Sequence, residues 1–530
     1  MESVPAWGTL PRMLRAQAAA HPGALVVDGA VRLTMRDLRE QAAAVGRGLM
    51  ALGVGPGDRV AIWGLNDASW VVHAFGIWDA GGVIVPLSAR YKGFEAAEMI
   101  TKTGAEVLVV GEGPGGAALG DLLPPLPGVR HVVGFDEVRQ AASGPGAVGR
   151  AALGSGRAWT GAGALDVEAR ALAVRSDDLC EIMSTSGTTG TPKGVMLDHA
   201  QVLRGYWDWA EIVTLGPGDR YPVIAPFNHG FGLNAGMIAC VLRRATMMPI
   251  GTFTPDGLMA LVESGKVSIL AGPPTMFYRL LDELDQRDRD VSSLRVAICG
   301  AAAVPATLIT RLVERVGLER MINAYGLMEG TVVSMTRAGD PIEVIASSTG
   351  RVVPGIEVKI VGLAGEEVPS GGRGEILQRG YGVMRGYWGE PEKTAEVVDA
   401  DGWLHTGDIG VLDELGNLSI VDRKKELYIV NGFNVSPAEV EALLLREGSL
   451  AQVAVVGVPD SVSGEAGCAF VVPRSGASVT AAGLVSWARA NMAGYKVPKR
   501  VIVVDELPAN PNGKTDKITL RHLAQNPGTG

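Results

Sequence analysis

The chain has 530 residues, a net charge of -9, 20% charged and 47% hydrophobic side chains, and four cysteines. That length exceeds one typical core and predicts roughly two to four folding units, while the hydrophobic content argues against disorder beyond short stretches. The acidic balance, without any run of Lys and Arg, argues against general nucleic-acid binding. Cys180, Cys240, Cys299 and Cys468 lie far apart with no metal-ligand spacing, which predicts reduced thiols, three of them in apolar surroundings that read as buried. The start Met1 to Pro5 lacks a basic region followed by an apolar core, and no stretch of about 18 uncharged apolar residues suggests an integral membrane segment. A cytoplasmic protein is expected, with peripheral membrane contact left open and the oligomeric state unread.

In chain order, Thr34 and Asp37 predict a helix start before the alanine-rich stretch to Leu49, and Arg59 to Trp63 reads as a buried strand. The rhythm returns with a helix over 69–80 and a strand over 83–85. This alternation predicts an α/β architecture with largely parallel sheets. Residues 112–170, rich in Gly, Ala and Pro, read as a loop-rich peripheral insert. Next, the apolar run Ile182-Met183 leads into Thr185-Ser186-Gly187-Thr188-Thr189-Gly190-Thr191-Pro192-Lys193-Gly194. Glycines there let the backbone turn with its N–H groups inward, hydroxyls add donors, and one lysine adds charge, a composition suited to polyphosphate oxygens. A P-loop is excluded, because Thr191-Pro192 separates Gly190 from Lys193.

Further along, Pro226 to Gly230 carries His229, and a lone histidine is usually structural. Gly300-Ala301-Ala302-Ala303 follows an apolar strand over 295–299, where small residues permit either close approach of a planar ring or simply a tight turn. Tyr325-Gly326 offers an aromatic face before Met328 and Glu329. Near residue 407 the pattern shifts to short strands and hairpins, with Asp408 in a turn-like setting and the charged cluster 422–426. Ser436-Pro437-Ala438-Glu439 then predicts a capped helix with a capping-box glutamate and an apolar face of Val440, Leu443 and Leu444. Leu507 to Lys514 ends a second lysine-bearing loop, and the tail from 526 is expected to be disordered.

Together, in this order, these stretches resemble the AMP-forming adenylating enzymes: acyl-CoA synthetases, luciferases and peptide-synthetase adenylation domains. Within that superfamily the chain is similar to actinobacterial fatty-acid-CoA-ligase-like proteins acting on ring-containing acids, including steroid degradation products. The resemblance implies a large N-terminal domain with mixed sheets over 1–422 and a small mobile α+β domain over 423–530, hinged near Lys425. It implies that Thr185, Ser186, Gly187, Thr188, Thr189, Gly190 and Lys193 cradle the phosphates of ATP. His229 would border the carboxylate pocket, Gly300, Ala301, Ala302, Tyr325 and Gly326 would hold adenine, and Glu329 would help hold Mg2+. Asp408 and Arg423 would contact ribose, Lys514 would reach the reacting carboxylate and α-phosphate, and Gly432 would turn toward the CoA thiol channel. Met328 departs from the family's usual threonine, and Asn228 from its usual apolar residue.

The implied reaction is activation of a carboxylic acid as an acyl-adenylate followed by transfer to CoA. No protein nucleophile is needed, in keeping with the absence of a GxSxG sequence. Transfer to a carrier protein or amine, nitrite-dependent diazotisation, and nucleotide binding without turnover remain alternatives at this level.

Overall fold

A computed structural model of the chain describes residues 3–141, 166–185, 192–300, 304–362, 365–423, 426–430, 433–460, 462–510 and 514–525. The chain divides into two compact units, one comprising Met1–Val358 and Gln378–Leu404, the other Lys359–Leu377 and His405–Gly530.

The first unit is organised by a seven-stranded sheet. Its strands run in the order Gly386–Tyr387, Lys193–Asp198, Leu179–Thr185, Val83–Leu87, Arg59–Trp63, Val107–Val110 and His131–Gly134. The pairings from Leu179–Thr185 to His131–Gly134 are parallel, and those at the Gly386–Tyr387 side are antiparallel. The central strands are almost wholly buried, which is why Arg59-Val60-Ala61-Ile62-Trp63 is apolar without alternation. Helix Met35–Ala51 starts where the sequence placed it, because Thr34 and Asp37 form a reciprocal capping box. Asp67 caps the helix Ala68–Asp79 in the same unit by accepting from the Trp70 amide.

The expected loop-rich insert contains more structure than its composition suggested. His131–Gly134 adds the edge strand of the large sheet, in parallel register with Val107–Val110, and helix Phe135–Ala141 follows it. Four residues with only Val132 and Val133 as apolar signal are too short to stand out among glycines and prolines.

A second sheet in this unit runs Ile269–Gly272, Val296–Gly300, Arg320–Leu327, Thr331–Met335 and Arg351–Val352. Its first three strands are parallel, and Arg320–Leu327 turns back tightly into Thr331–Met335. A smaller sheet pairs Leu25–Val27 with Thr246–Pro249 and Arg220–Val223. All four cysteines are buried and unbridged. No helix among the described residues is long and apolar enough to cross a membrane.

The second unit is α+β. The hairpin Leu404–Leu412 and Leu418–Arg423 is followed by a sheet of Phe433–Val435, Tyr428–Val430, Gly464–Pro473 and Leu450–Asp460, with Arg500–Val503 parallel to Gly464–Pro473. Ser436 caps helix Pro437–Leu445 by accepting from the Glu439 amide, and Val440 and Leu444 are buried. The reciprocal half of the expected capping box is not made: the Glu439 carboxylate pairs with Lys496 instead. A lysine ammonium supplies a charged donor, which a carboxylate prefers to a backbone amide.

Lys517, only 18% exposed, opens helix Lys517–Gln525 and pairs with Glu426 at 3.0 Å and Glu441 at 2.9 Å. It joins three segments of the second unit that the chain separates. Lys517→Ala leaves two carboxylates facing each other, and it is expected to destabilise this unit by about 1–3 kcal/mol. Urea unfolding of the full-length protein, followed by the second unit's Trp487, checks this; an unchanged transition would remove Lys517 from the unit's framework.

Candidate functional site

Several of the sequence-selected residues converge in the first unit. Strands Leu179–Thr185 and Lys193–Asp198 form an antiparallel hairpin in which Thr185 lies opposite Lys193 and Ser184 opposite Gly194. Ser186, Gly187, Thr188, Thr189 and Gly190 lie outside the described residues. The base of the loop is anchored. Lys102 donates to the Pro192 carbonyl at 2.6 Å and pairs with Glu390 at 2.6 Å, both side chains being mostly buried.

Lys193 lies 4.4 Å above the ring of Tyr387, a cation–π contact that fixes the direction of the ammonium. The same tyrosine donates from its hydroxyl to Glu329 at 3.0 Å. Burial, and then the neighbouring Glu329, push the Tyr387 hydroxyl above its ordinary range, so it remains a donor at neutral pH. One ring therefore links the phosphate-loop lysine to the expected metal-binding carboxylate. Tyr387 was not singled out in the sequence.

Glu329 sits on a turn that few residues can form. A Cβ at Gly326 would lie 2.4 Å from the Thr331 carbonyl oxygen, and one at Gly330 would lie 2.1 Å from Gln378 Oε1. Thr331 adopts φ 56°, a left-handed conformation that is costly for a β-branched residue. Gln378 donates to the Gly330 carbonyl at 2.7 Å, and the Met384 amide donates to the Glu329 carbonyl at 2.8 Å. The turn is thus held by Gln378 and the Met384 amide rather than by its own preference.

Gly300 and Tyr325 occupy neighbouring strands, since Gly300 pairs with Ala324 in parallel register. A Cβ at Gly300 would stand 3.1 Å from the Ala324 carbonyl, so the strand end is kept small. Ala301 and Ala302 lie outside the described residues.

His229 caps the short helical turn Gly230–Gly232, its Nδ1 accepting from the Phe231 amide at 3.1 Å. The segment before it is fastened by Asn66, whose Nδ2 donates to the Val223 and Ala225 carbonyls and whose Oδ1 accepts from the Phe227 amide at 2.9 Å. Asn66 was also missed by sequence reasoning, because a lone Asn 160 or so residues away carries no local signal. Met328 reaches the same place: a Cβ on Gly230 would lie 3.2 Å from its sulfur, with the Tyr206 hydroxyl at 3.6 Å.

In the second unit, Asp408 is buried, and its backbone is in register with that of Arg423 across the hairpin. The Asp408 amide donates to Thr406 Oγ1 at 3.1 Å, and Gly407, at φ 71°, provides the left-handed bend. Lys514 is exposed at a turn in which the Asn510 amide donates to its carbonyl at 2.7 Å and Asn510 Oδ1 accepts from its amide at 3.0 Å. Lys425 and Gly432 fall outside the described residues. Among the described residues, no group of three or more His, Cys, Asp or Glu side chains could hold a metal by itself.

The site so assembled is a strand pair that sets Thr185 opposite Lys193, a lysine and a carboxylate joined by one tyrosine, and a small-residue strand end beside an aromatic. Residues 14–388 match the AMP-binding enzyme family, and residues 439–514 match its C-terminal domain. The chain belongs to this family of adenylate-forming enzymes. It is 40% identical over 528 residues to a 3-[(3aS,4S,7aS)-7a-methyl-1,5-dioxo-octahydro-1H-inden-4-yl]propanoyl:CoA ligase of Rhodococcus jostii, covering 97% of this chain and 98% of that one. The ligase of the same name in Mycobacterium tuberculosis is 41% identical, with 99% of each chain covered. ATP-bound MatB from Rhodopseudomonas palustris superposes with a TM-score of 0.83 at 27% identity, covering 98% of this chain and 99% of that one.

Asn66→Ala removes three hydrogen bonds from the segment leading to His229 and leaves two carbonyls and an amide without it. A stability loss of about 1–3 kcal/mol is expected, by thermal or urea unfolding. Full retention of stability would mean that Asn66 does not hold this segment.

Proposed function

We propose that the chain converts a ring-bearing carboxylic acid to its CoA thioester, with Lys193, Glu329 and Lys514 acting on the phosphates of the nucleotide. The chain is an AMP-forming acyl-CoA ligase whose substrates are ATP, CoA and a carboxylic acid. The finer assignment rests on one observation, the end-to-end similarity to two ligases named for a bicyclic dioxo propanoic acid.

The chemistry explains the residue types. A carboxylate is a poor electrophile near neutral pH, and its oxygen will not leave as oxide. Attack of that oxygen on the α-phosphorus of ATP releases pyrophosphate and forms a mixed anhydride. AMP then leaves when the CoA sulfur attacks the acyl carbon. Both steps concentrate negative charge, so preset cations and amide donors lower the barrier. Lys193, oriented by Tyr387, suits the phosphates of ATP. Gly300 and Tyr325, on adjacent strand ends, suit a flat purine. His229 suits the border of the acyl pocket, while Asp408 can accept from ribose hydroxyls in the second unit.

Mg2+ fits Glu329: a hard cation that keeps phosphate and water ligands needs a single held carboxylate, and no three-ligand cage is required. When bound, it supplies charge neutralisation on the phosphates. Division at residues 422/423 about Lys425 is the proposed mobile boundary, with Gly432 turned to the CoA channel in the second half-reaction. The location proposed is the cytoplasm, which suits four unbridged cysteines.

A panel of aromatic, alicyclic and linear carboxylates, scored for pyrophosphate, AMP and thioester, tests this reading. Alicyclic acids with a short carboxyalkyl arm are expected to lead, with AMP as product; formation of ADP, or preference for linear acids, rejects it. Lys514→Ala should slow adenylation about a hundred- to thousand-fold while sparing thioester formation from supplied acyl-adenylate. Equal losses in the two half-reactions would contradict its proposed place.

Met328→Thr exchanges a thioether for a hydroxyl donor beside Gly230. It is expected to leave stability nearly unchanged and to tighten ATP by at most about 1.5–3 kcal/mol. Isothermal titration with ATP measures this; loss of turnover with the preferred acid would assign Met328 to the acyl pocket instead.

A further inference from the structure

A buried acid beneath this site has no role in the chemistry above. Glu181, on strand Leu179–Thr185 four residues before Thr185, is fully buried, between Ile84 and Leu197 of the flanking strands. No cationic side chain among the described residues pairs with it. Its one hydrogen bond comes from Asn234 Nδ2, which donates to Oε1 at 2.9 Å. Asn234 is 1% exposed and lies in the π-helical turn Leu233–Ile238, directly after the short helix that His229 caps.

Two atoms of this pair are left over. Glu181 Oε2 and Asn234 Oδ1 are both buried without a partner. With Glu181 ionised, both are acceptors, so neither can satisfy the other. A proton on Oε2 turns that atom into a donor that Oδ1 can accept. The two side chains then make complementary hydrogen bonds, amide to acid and acid to amide, and no buried charge remains.

We propose that Glu181 is held protonated against Asn234, and that this acid–amide pair is a positioning element setting the strand of the phosphate loop against the turn of His229. The proposal rests on the adenylation reading of the site. It gives the π-turn a reason, since such turns re-aim a side chain that a regular helix would direct elsewhere. Burial, opposed by the Asn234 hydrogen bond, raises the Glu181 carboxyl to about 7. The titratable groups that feel its charge are Cys180, beside it on the strand, and Tyr206 from helix His199–Ile212, which also hydrogen-bonds Asn234. Burial raises both, so they stay neutral while Glu181 titrates.

The sign follows. A carboxyl whose pKa is raised in the folded state favours folding fully below its unfolded value near 4.5 and loses that advantage as pH rises toward about 7. Glu181→Gln preserves both hydrogen bonds without a proton to lose. Three measurements test the pair. In infrared difference spectra of the full-length protein near pH 6, a protonated-carboxyl band is expected that Glu181→Gln removes. The unfolding equilibrium should favour the Gln variant increasingly from pH 5 to 8, by on the order of a hundredfold at the upper end. Acid-dependent pyrophosphate release should fall on the alkaline side in the unchanged protein and stay flat in Glu181→Gln, while Asn234→Leu lowers kcat at every pH. Absence of the carboxyl band, or identical pH profiles for the unchanged protein and Glu181→Gln, overturns the pair. Failure of the ligase reading would show separately, as no AMP from the unchanged protein with any acid.

Discussion

The register that sets Lys193 opposite Thr185 is the constraint on which the site depends. The antiparallel register fixes where Lys193 opens its strand, and the antiparallel edge strand Gly386–Tyr387 then brings its tyrosine beneath that lysine. Because Tyr387 also donates to Glu329, the position of the carboxylate is tied to the same register. Thr185 and Gly300 both stand at the carboxyl ends of their strands, where open α/β sheets collect their ligands.

Holding Glu329 there costs backbone strain. A threonine at positive φ and two glycines with no room for a Cβ are held in this turn by Gln378 and the Met384 amide. A relaxed turn would let the carboxylate swing with solvent. The geometry preset at this point lowers the reorganisation that charge neutralisation would otherwise require.

Much of this was legible in the sequence because it is local. Thr34 and Asp37 signal a helix start three residues apart, Arg59 to Trp63 is a strand by composition alone, and the loop 185–194 carries its own chemistry in ten consecutive residues. What escaped is separated along the chain. Asn66 clasps residues 223–227, Gln378 clasps Gly330, Tyr387 joins Lys193 to Glu329, and Glu181 meets Asn234. Each is a polar residue whose partner lies 48 or more positions away, so neither period nor spacing announces it. The edge strand His131–Gly134 escaped for another reason: four residues give too few turns of any period to count.

On the proposed reading, the two lysines differ as their tasks require. Lys193 has its ring partner and its loop anchored through Lys102, so it is suited to a nucleotide that must be held through both half-reactions. Lys514 stands exposed on a turn in which its amide and carbonyl bond Asn510. An ammonium needed at the α-phosphate for adenylation alone is better carried on an exposed turn of a separate compact unit. Fixed beside the anhydride, it would stabilise the charge of the bound adenylate when AMP has to leave. Separating the permanent cation from the temporary one lets the same phosphate be attacked in one step and released in the next.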